Sequence, residues 1–438
     1  MDGESDRIHA PIIGLRALTS GGGLSRPDPD RRAGRPYHPT VRRIDFIAYL
    51  VGLALGAAIL IASGYADHSP AAVRQGDFAQ FWVGPRAFIL GMDPYARATW
   101  HTTAVSLGAV TTDTSVFGYF GWSLVLLYPL ALLDLDTAAA VWLFVGLAAA
   151  AIATWTLLRA YLPGIPVAHT LVGLALLGSH PARLNVLLGQ WGFILLAAVA
   201  AAIVLLRAGR AISAAASAVL LVVKPQLFLL SAPALAAWAW RSGRRGFVPA
   251  AIVFAGILAL ISIVLLPQWP AAWLQDMPAQ RLFDPPKTTT LATVLYGVLG
   301  PVGTWVALGT IIAGALAALR FDLRSDAALA AWLALSSVAA PYTWSYDHIL
   351  LLVPLVVGAG VVARRSRRAA VLLVVAGTLT LLVVATLLAV VAAARNLESF
   401  SAVVPLAIYA MIVWSLWPLD PSRIATTVSA AVATETAT

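Results

Sequence analysis

The sequence predicts an all-α polytopic membrane protein with about twelve transmembrane helices and interfacial helices in its first outside loop. Three observations lead there. Hydrophobic residues make up 60% of the 438 positions and charged residues only 11%, where a soluble domain carries about 25% charge. The apolar residues fall in successive runs which, at about 1.5 Å per helical residue, suit a hydrocarbon core of roughly 30 Å. The net charge of +9 is almost wholly arginine, Lys224 and Lys287 being the only lysines. Arginines gather in short loops between apolar runs: Arg207 and Arg210; Arg241, Arg244 and Arg245; Arg320 and Arg324; Arg364, Arg365, Arg367 and Arg368. That is the positive-inside pattern of a membrane protein, so no nucleic-acid partner is expected.

Residues 1–43 are polar and rich in Arg, Gly and Pro, and read as a disordered cytoplasmic tail. The first span, 44–64, is longer than a signal-peptide core and lacks a clear cleavage site after it, so it should remain as an anchor. The first outside loop, 65–136, begins with Gln75 to Tyr95, QGDFAQFWVGPRAFILGMDPY. The first acid of that stretch, Asp77, emerges about a dozen residues past the anchor and precedes a run expected to lie along the interface. The apolar run Tyr119 to Leu133 cannot span without inverting every later loop against the arginine bias. It should form a second interfacial or re-entrant helix, joined to the first by the Thr-rich stretch Thr99 to Ser115. Further spans follow at about 137–158, 165–179, 190–206, 211–223, 226–240 and 247–266. The run 211–223 is short, which leaves Lys224-Pro225-Gln226 below the headgroups, where a charge and a broken backbone require a cavity or protein partners. A second outside loop, 267–290, carries Trp269, Trp273, Arg281, Asp284 and Lys287. Spans at about 302–319, 327–341, 348–363, 369–394 and 399–417 complete a membrane domain over 44–417, before a cytoplasmic tail, 418–438. Both termini then lie in the cytoplasm, and the setting is a bacterial inner membrane.

On this topology the outer face collects Asp77, Arg86, Asp93, His180, Arg183, Asn185, Gln190, Lys224, Gln226, Arg281, Lys287, Tyr342, Trp344, Asp347 and His348. With no cysteine and no H-x-x-x-H spacing, the set does not suit zinc, and neither metal nor cofactor is expected. The pair Asp134 and Asp136 stands directly before the second span and reads as its cap, with a cation site as the rival. There is no Walker-type phosphate loop. The set does suit displacement at a sugar carbon bearing a lipid-linked phosphate. Phosphate leaves without a general acid if cations stabilise its charge, so one carboxylate can take the acceptor proton in a single inverting step. Glycoside hydrolysis usually needs a pair. Asp77 is the candidate base, and Lys224, Arg183 and Arg281 are the candidate phosphate ligands.

Each assignment has a plainer rival. Asp77 at the head of an interfacial helix is also a good N-cap, and Lys224 could snorkel. Asp347 and His348 open a span, where a cap and a water-facing neighbour are ordinary. Arg86 and Arg183 could pair with headgroups. Phe81, Trp82, Trp100, Trp122, Trp269 and Trp273 read as an interfacial aromatic belt.

Four separated segments resemble one family: Gly76-Asp77-Phe78 with Gly91-Met92-Asp93-Pro94-Tyr95; Leu188-Gly189-Gln190-Trp191; Lys224-Pro225-Gln226; and Pro341-Tyr342-Thr343-Trp344-Ser345-Tyr346-Asp347-His348. In this order within a many-span chain they resemble the glycosyltransferase family 87 membrane mannosyltransferases of the GT-C superfamily, across roughly 44–417. The resemblance implies a GT-C fold with an essential acid in its first outside loop, a polyprenyl-phosphate sugar donor and transfer outside the cytoplasm. Asp77 matches the acidic position, and Gln190 and Lys224-Pro225-Gln226 match other polar positions. It implies polyprenyl-phosphate-mannose as donor and a glycan or glycolipid as acceptor, among membrane lipids. The segment after Pro341 departs from the expected Ser-Trp-x-His-His, which leaves the roles of Asp347 and His348 open. A transporter or flippase of a lipid-linked substrate is the alternative, but no internal repeat and no mid-span acid support it. A non-catalytic assembly factor is a third reading.

Overall fold

The computed structural model describes residues 39–110, 116–276, 288–395 and 398–417. The expected tails fall outside these residues, except that 39–43 already belong to the first helix, Pro39–Ala62. Arg281, Asp284 and Lys287 also lie outside them.

The described residues are mostly helical, with no strand among them. After α1 (Pro39–Ala62) the first loop holds α2 (Pro70–Gln75), α3 (Asp77–Ile89), α4 (Trp100–Ser106) and α5 (Gly121–Leu127). Then come α6 (Leu135–Tyr161), α7 (Pro166–Gly178), α8 (His180–Leu188), α9 (Gly192–Arg207), α10 (Ala211–Ala218), α11 (Ser231–Arg241) and α12 (Phe247–Leu265). The remainder comprises α13 (Trp269–Asp276), α14 (Leu291–Leu299), α15 (Pro301–Ala318), α16 (Asp326–Ala339), α17 (Leu352–Ala363), α18 (Arg367–Leu379), α19 (Ala385–Arg395) and α20 (Val403–Leu416).

Seven helical segments are long and apolar enough to cross a membrane, or eight if α7 and α8, bent by 41° at their junction, form one span. The chain is therefore an integral membrane protein, but the expected twelve spans include several short helices. Gly192–Arg207, Ala211–Val223 and Asp326–Ala339 are apolar but below full spanning length. The run 226–240 divides into a 3₁₀ turn, Pro225–Phe228, and the eleven-residue α11. Residues 180–188, which lie between two of the expected spans, form α8.

Glycine lets α1 and α7 pack at backbone distance. A Cβ on Gly56 would sit 2.8 Å from Leu174 O, and one on Gly173 2.8 Å from Tyr49 O. Gly52 and Gly56 stand four apart, the small-residue spacing that allows membrane helices to approach closely. The segment Ser345–Ala363 runs through the middle of the bundle, with 89% of its spanning window buried, against 11% for α12. Helix α12 instead exposes Ile252, Leu260 and Val264, an outward apolar surface of the kind that a bilayer covers.

The first loop folds inward. Phe81, Trp82, Trp100 and Trp269 are 2%, 6%, 1% and 5% exposed, which overturns the aromatic-belt reading for these four. Trp269 stacks edge-on against Phe120 and Trp122, and Trp273 packs on Phe120. An ion pair and a hydrogen bond join the same two loops: Arg97 donates to Asp276 at 2.8 Å, and Gln268 donates to Asp93 at 3.0 Å. Arg86 is occupied too, donating to Ala131 O at 3.1 Å. The Tyr119–Leu133 run is not one helix: after α5 the chain passes Tyr128 and Pro129 into a 3₁₀ turn, Leu130–Leu132. The stretch from Thr99 carries α4. Asp134 caps α6 through Thr137 N at 2.9 Å, as expected.

Between α18 and α19 the helix makes a π turn, Thr380–Val384. Such turns carry one extra residue within an otherwise regular helix.

Candidate active site

Four segments distant in sequence meet through hydrogen bonds. Asp77 is the first residue of α3, and Gly76 holds the N-cap position without a side-chain bond, so Asp77 does not cap this helix. It accepts a short hydrogen bond at Oδ2 from Gln190 Nε2. Lys224 Nζ donates to Gln190 Oε1 at 3.1 Å and to Asp347 Oδ1 at 2.9 Å. An ammonium only donates, so Gln190 must turn its carbonyl to Lys224 and its NH₂ to Asp77. The carboxylate of Asp77 thus has one oxygen oriented by a side chain that is itself locked from behind.

Local sequence explains each position. Ser179 caps α8, Pro181 sits in its first turn, and Gly189 ends it in the left-handed conformation at φ 66°. A Cβ on Gly189 would lie 2.5 Å from Phe78 Cβ; only glycine both turns the chain here and lets Gln190 arrive beside α3. Gly189 O accepts from Trp142 Nε1 at 2.8 Å. Asn185 clamps the same corner, donating to Tyr346 O at 2.7 Å and accepting from Gly192 N at 2.9 Å.

Lys224 stands where the chain breaks between two 3₁₀ turns, Val219–Val223 and Pro225–Phe228. The freed backbone groups find side-chain partners. Ser336 Oγ donates to Leu227 O at 2.9 Å and accepts from Leu230 N and Ser231 N at 3.2 Å, while Trp122 Nε1 donates to Val222 O at 2.9 Å. Non-helical backbone within a bundle persists on these terms. Lys224 and Asp347 are nearly buried, at 6% and 4% side-chain exposure. Asp347 Oδ2 accepts from Trp344 N at 3.0 Å, closing the first turn of the central segment. The Lys224 ammonium also lies 4.5 Å from the centre of the Tyr346 ring.

Asp77 and Gln190 open onto a cavity of about 780 Å³ that His180, Arg183, Tyr119, Tyr342, Trp344, Ser345, Tyr346, Thr386 and Glu398 also line. The volume suits a small organic ligand. Arg183 is the one Lys or Arg on its wall among the described residues. Its guanidinium donates to Thr386 at 2.7 Å, just beyond the π turn, and lies 5.2 Å from the Tyr65 ring centre. Burial pushes the Tyr342 phenol up to about 12. The Tyr119 phenol also rises well above its ordinary value, through burial first and then the charge of Asp77. Both phenols are therefore neutral hydrogen-bond donors at physiological pH.

The remaining candidates lie further back. Lys224 and Asp347 stand behind Gln190 and do not line the cavity. His348 is 1% exposed, and neither ring nitrogen has a hydrogen-bond partner. Gln226 is half-buried beyond the Pro225 break, and Arg281 lies outside the described residues. Among the described residues no three His, Cys, Asp or Glu gather as a metal-ion set. Glu398 escaped the sequence reading. Its one signal was an acid in the short turn between the last two apolar runs, on the side expected to face outward.

A second, apolar cavity of about 340 Å³ lies between α5 and α12, lined by Phe88, Gly121, Leu124, Val125, Tyr128, Leu265 and Leu266 among others.

No curated protein and no solved structure matches the chain. The family model for glycosyltransferase family 87 matches residues 117–344. That range contains Gln190 and Lys224, and it leaves Asp77 to be judged by its geometry. With more than half of the chain covered, the protein belongs to glycosyltransferase family 87 and is a membrane glycosyltransferase.

Proposed function

We propose that the protein transfers mannose from a polyprenyl-phosphate donor to an acceptor hydroxyl at the extracytoplasmic face, with inversion at the sugar carbon and with Asp77 as the base. The arrangement Asp77–Gln190–Lys224–Asp347, ending on a cavity that also holds Arg183, carries the reading. In the reaction the acceptor O–H gives its proton to the Asp77 carboxylate as its oxygen bonds to the anomeric carbon. The bond from that carbon to the phosphate oxygen breaks on the opposite side, and its electron pair leaves with the lipid phosphate. Arg183 offsets the charge that develops there. Lys224 acts as a positioning residue: two of its three N–H donors go to Gln190 and Asp347 and it does not line the cavity, so it orients the base through Gln190. The donor and the mannose identity rest on resemblance to family 87, and the outward orientation rests on the arginine-rich loops. The apolar cavity beside α5 begins two residues along the chain from Tyr119, and its chemistry suits a prenyl tail.

The test is transfer of labelled mannose from polyprenyl-phosphate-mannose in membranes containing the wild type or Asp77→Asn. A loss of about 10²- to 10⁴-fold with normal accumulation of the protein is expected. Undiminished transfer by the variant removes Asp77 from the role of base.

A further inference from the structure

Besides Asp77, the cavity lining carries one cation, Arg183, and one further acid, Glu398, among the described residues. Glu398 is the first residue of the last helical segment and stands beside the 342–346 segment. Ser345 donates to Glu398 Oε1 at 2.6 Å through its hydroxyl, and its backbone N–H donates to the same oxygen at 3.4 Å. That oxygen is held and Oε2 is left to accept from a ligand. Beside it Tyr342 and Trp344 are bound together, Trp344 Nε1 donating to Tyr342 OH at 2.6 Å, and the Trp344 and Tyr346 rings lie nearly parallel at 6.4 Å. An anionic phosphate is repelled by a carboxylate in a desolvated pocket. A neutral sugar is not, because its hydroxyls donate to the carboxylate while its C–H faces pack on aromatic rings.

We infer that Glu398, Ser345 and Trp344 form a subsite for the acceptor, and that the group it takes is a neutral sugar ring with hydroxyls free to donate to Glu398. This deepens the transfer reading and rests on it. The donor phosphate goes to Arg183, and Asp77, on the lining of the same cavity, is the group both substrates reach. Glu398 is a specificity-determining residue in this scheme; it takes no proton in the transfer.

The subsite is tested by binding, separately from turnover. The full-length protein in lipid nanodiscs is titrated with hexyl α-mannoside and, independently, with farnesyl phosphate, following tryptophan fluorescence. Glu398→Ala should weaken hexyl mannoside by roughly tenfold or more and leave farnesyl phosphate within about twofold, which also shows that the variant is folded. Ser345→Ala frees the held oxygen and should weaken the mannoside less, by about two- to fivefold; it decides the matter if Glu398→Ala does not fold. No binding of hexyl mannoside by the wild type, an unchanged affinity in both variants, or equal weakening of the two ligands would each overturn the subsite. Absence of mannose transfer by the wild type would count against the proposed reaction and not against the subsite, which is judged by binding alone.

Discussion

Two buried aspartates open helical segments in this protein, and each meets a cation that lies over a tyrosine ring. Asp326, at the start of α16, accepts from Arg207 at 2.8 Å, from Arg364 at 2.7 Å and from the Tyr161 hydroxyl at 3.2 Å. Arg207 lies 4.7 Å from the Tyr161 ring centre. Asp347 accepts from Lys224, which lies 4.5 Å from Tyr346. The parts are alike and the outcomes differ. Around Asp326 the arginines end the network, with 32% and 61% of their side chains exposed. It ties α6, α9, α16 and α17 together and does no more. Around Asp347 the cation has a second partner, Gln190, and through it the network reaches Asp77 and a cavity. A staple becomes a candidate site when one donor is passed onward to a group that faces a ligand space.

The largest difference should appear when the two ends are cut separately. Asp77→Asn should abolish most transfer with little effect on accumulation, whereas Asp326→Asn should lower stability by about 1–3 kcal/mol and leave the specific activity of the folded fraction unchanged. Heat-induced aggregation of the detergent-solubilised protein beside a transfer assay measures both, and a loss of specific activity in Asp326→Asn would erase the contrast. Next in size is Lys224→Met, which strands Asp347 as a buried unpaired charge, a change that costs about 3–5 kcal/mol in comparable pairs. Adding Asp347→Asn should restore much of that stability but not the transfer rate, because nothing then fixes the Gln190 amide. Recovery of both together would reduce this network to a second staple. Gln190→Met should keep the fold and slow transfer by about 10- to 100-fold, with the acceptor KM little altered, if its role is to orient the base. The smallest effect concerns Tyr342. Its phenol is neutral up to about 12 in the folded protein but ionises near 10 when unfolded. The stability this phenol contributes is whole below pH 10 and is lost as pH rises through 12, by up to roughly 1.4 kcal/mol per pH unit. Tyr342→Phe should flatten thermal stability over that window and, at neutral pH, cost only the hydrogen bond from Trp344, about 0.5–1.5 kcal/mol.

Much of this was legible in the sequence, for definable reasons. Hydropathy and arginine placement located the helical segments, since both are one-dimensional. The broken backbone at Lys224-Pro225 announced internal partners before any were visible. Spacing could not show that Gln190 lies between Asp77 and Lys224, because residues 77, 190, 224 and 347 meet only through tertiary packing. Helix α8 is legible in Ser179, Pro181 and Gly189, its cap, first-turn proline and terminal glycine, but the polar side chains at 180, 183 and 185 break the apolar pattern that marks a span. The burial of the aromatics of the two loops is not legible, because composition does not distinguish a ring facing lipid from one facing another ring.

The π turn at Thr380–Val384 has a consequence that hydropathy cannot register. A residue more or less in a helix rotates all that follows by about 100°, and the turn absorbs one such residue just before Thr386, Ala389 and Ala393 reach the cavity wall. Removing a single valine there would leave the helix as apolar as before and long enough to span. It would close the wide turn into a regular helix and leave Thr386 facing Arg183, whereas one further residue added there, with no second wide turn to absorb it, would swing Thr386 away and present a different set of side chains to the cavity. In this segment the number of residues, as well as their kind, carries information about what the enzyme can hold.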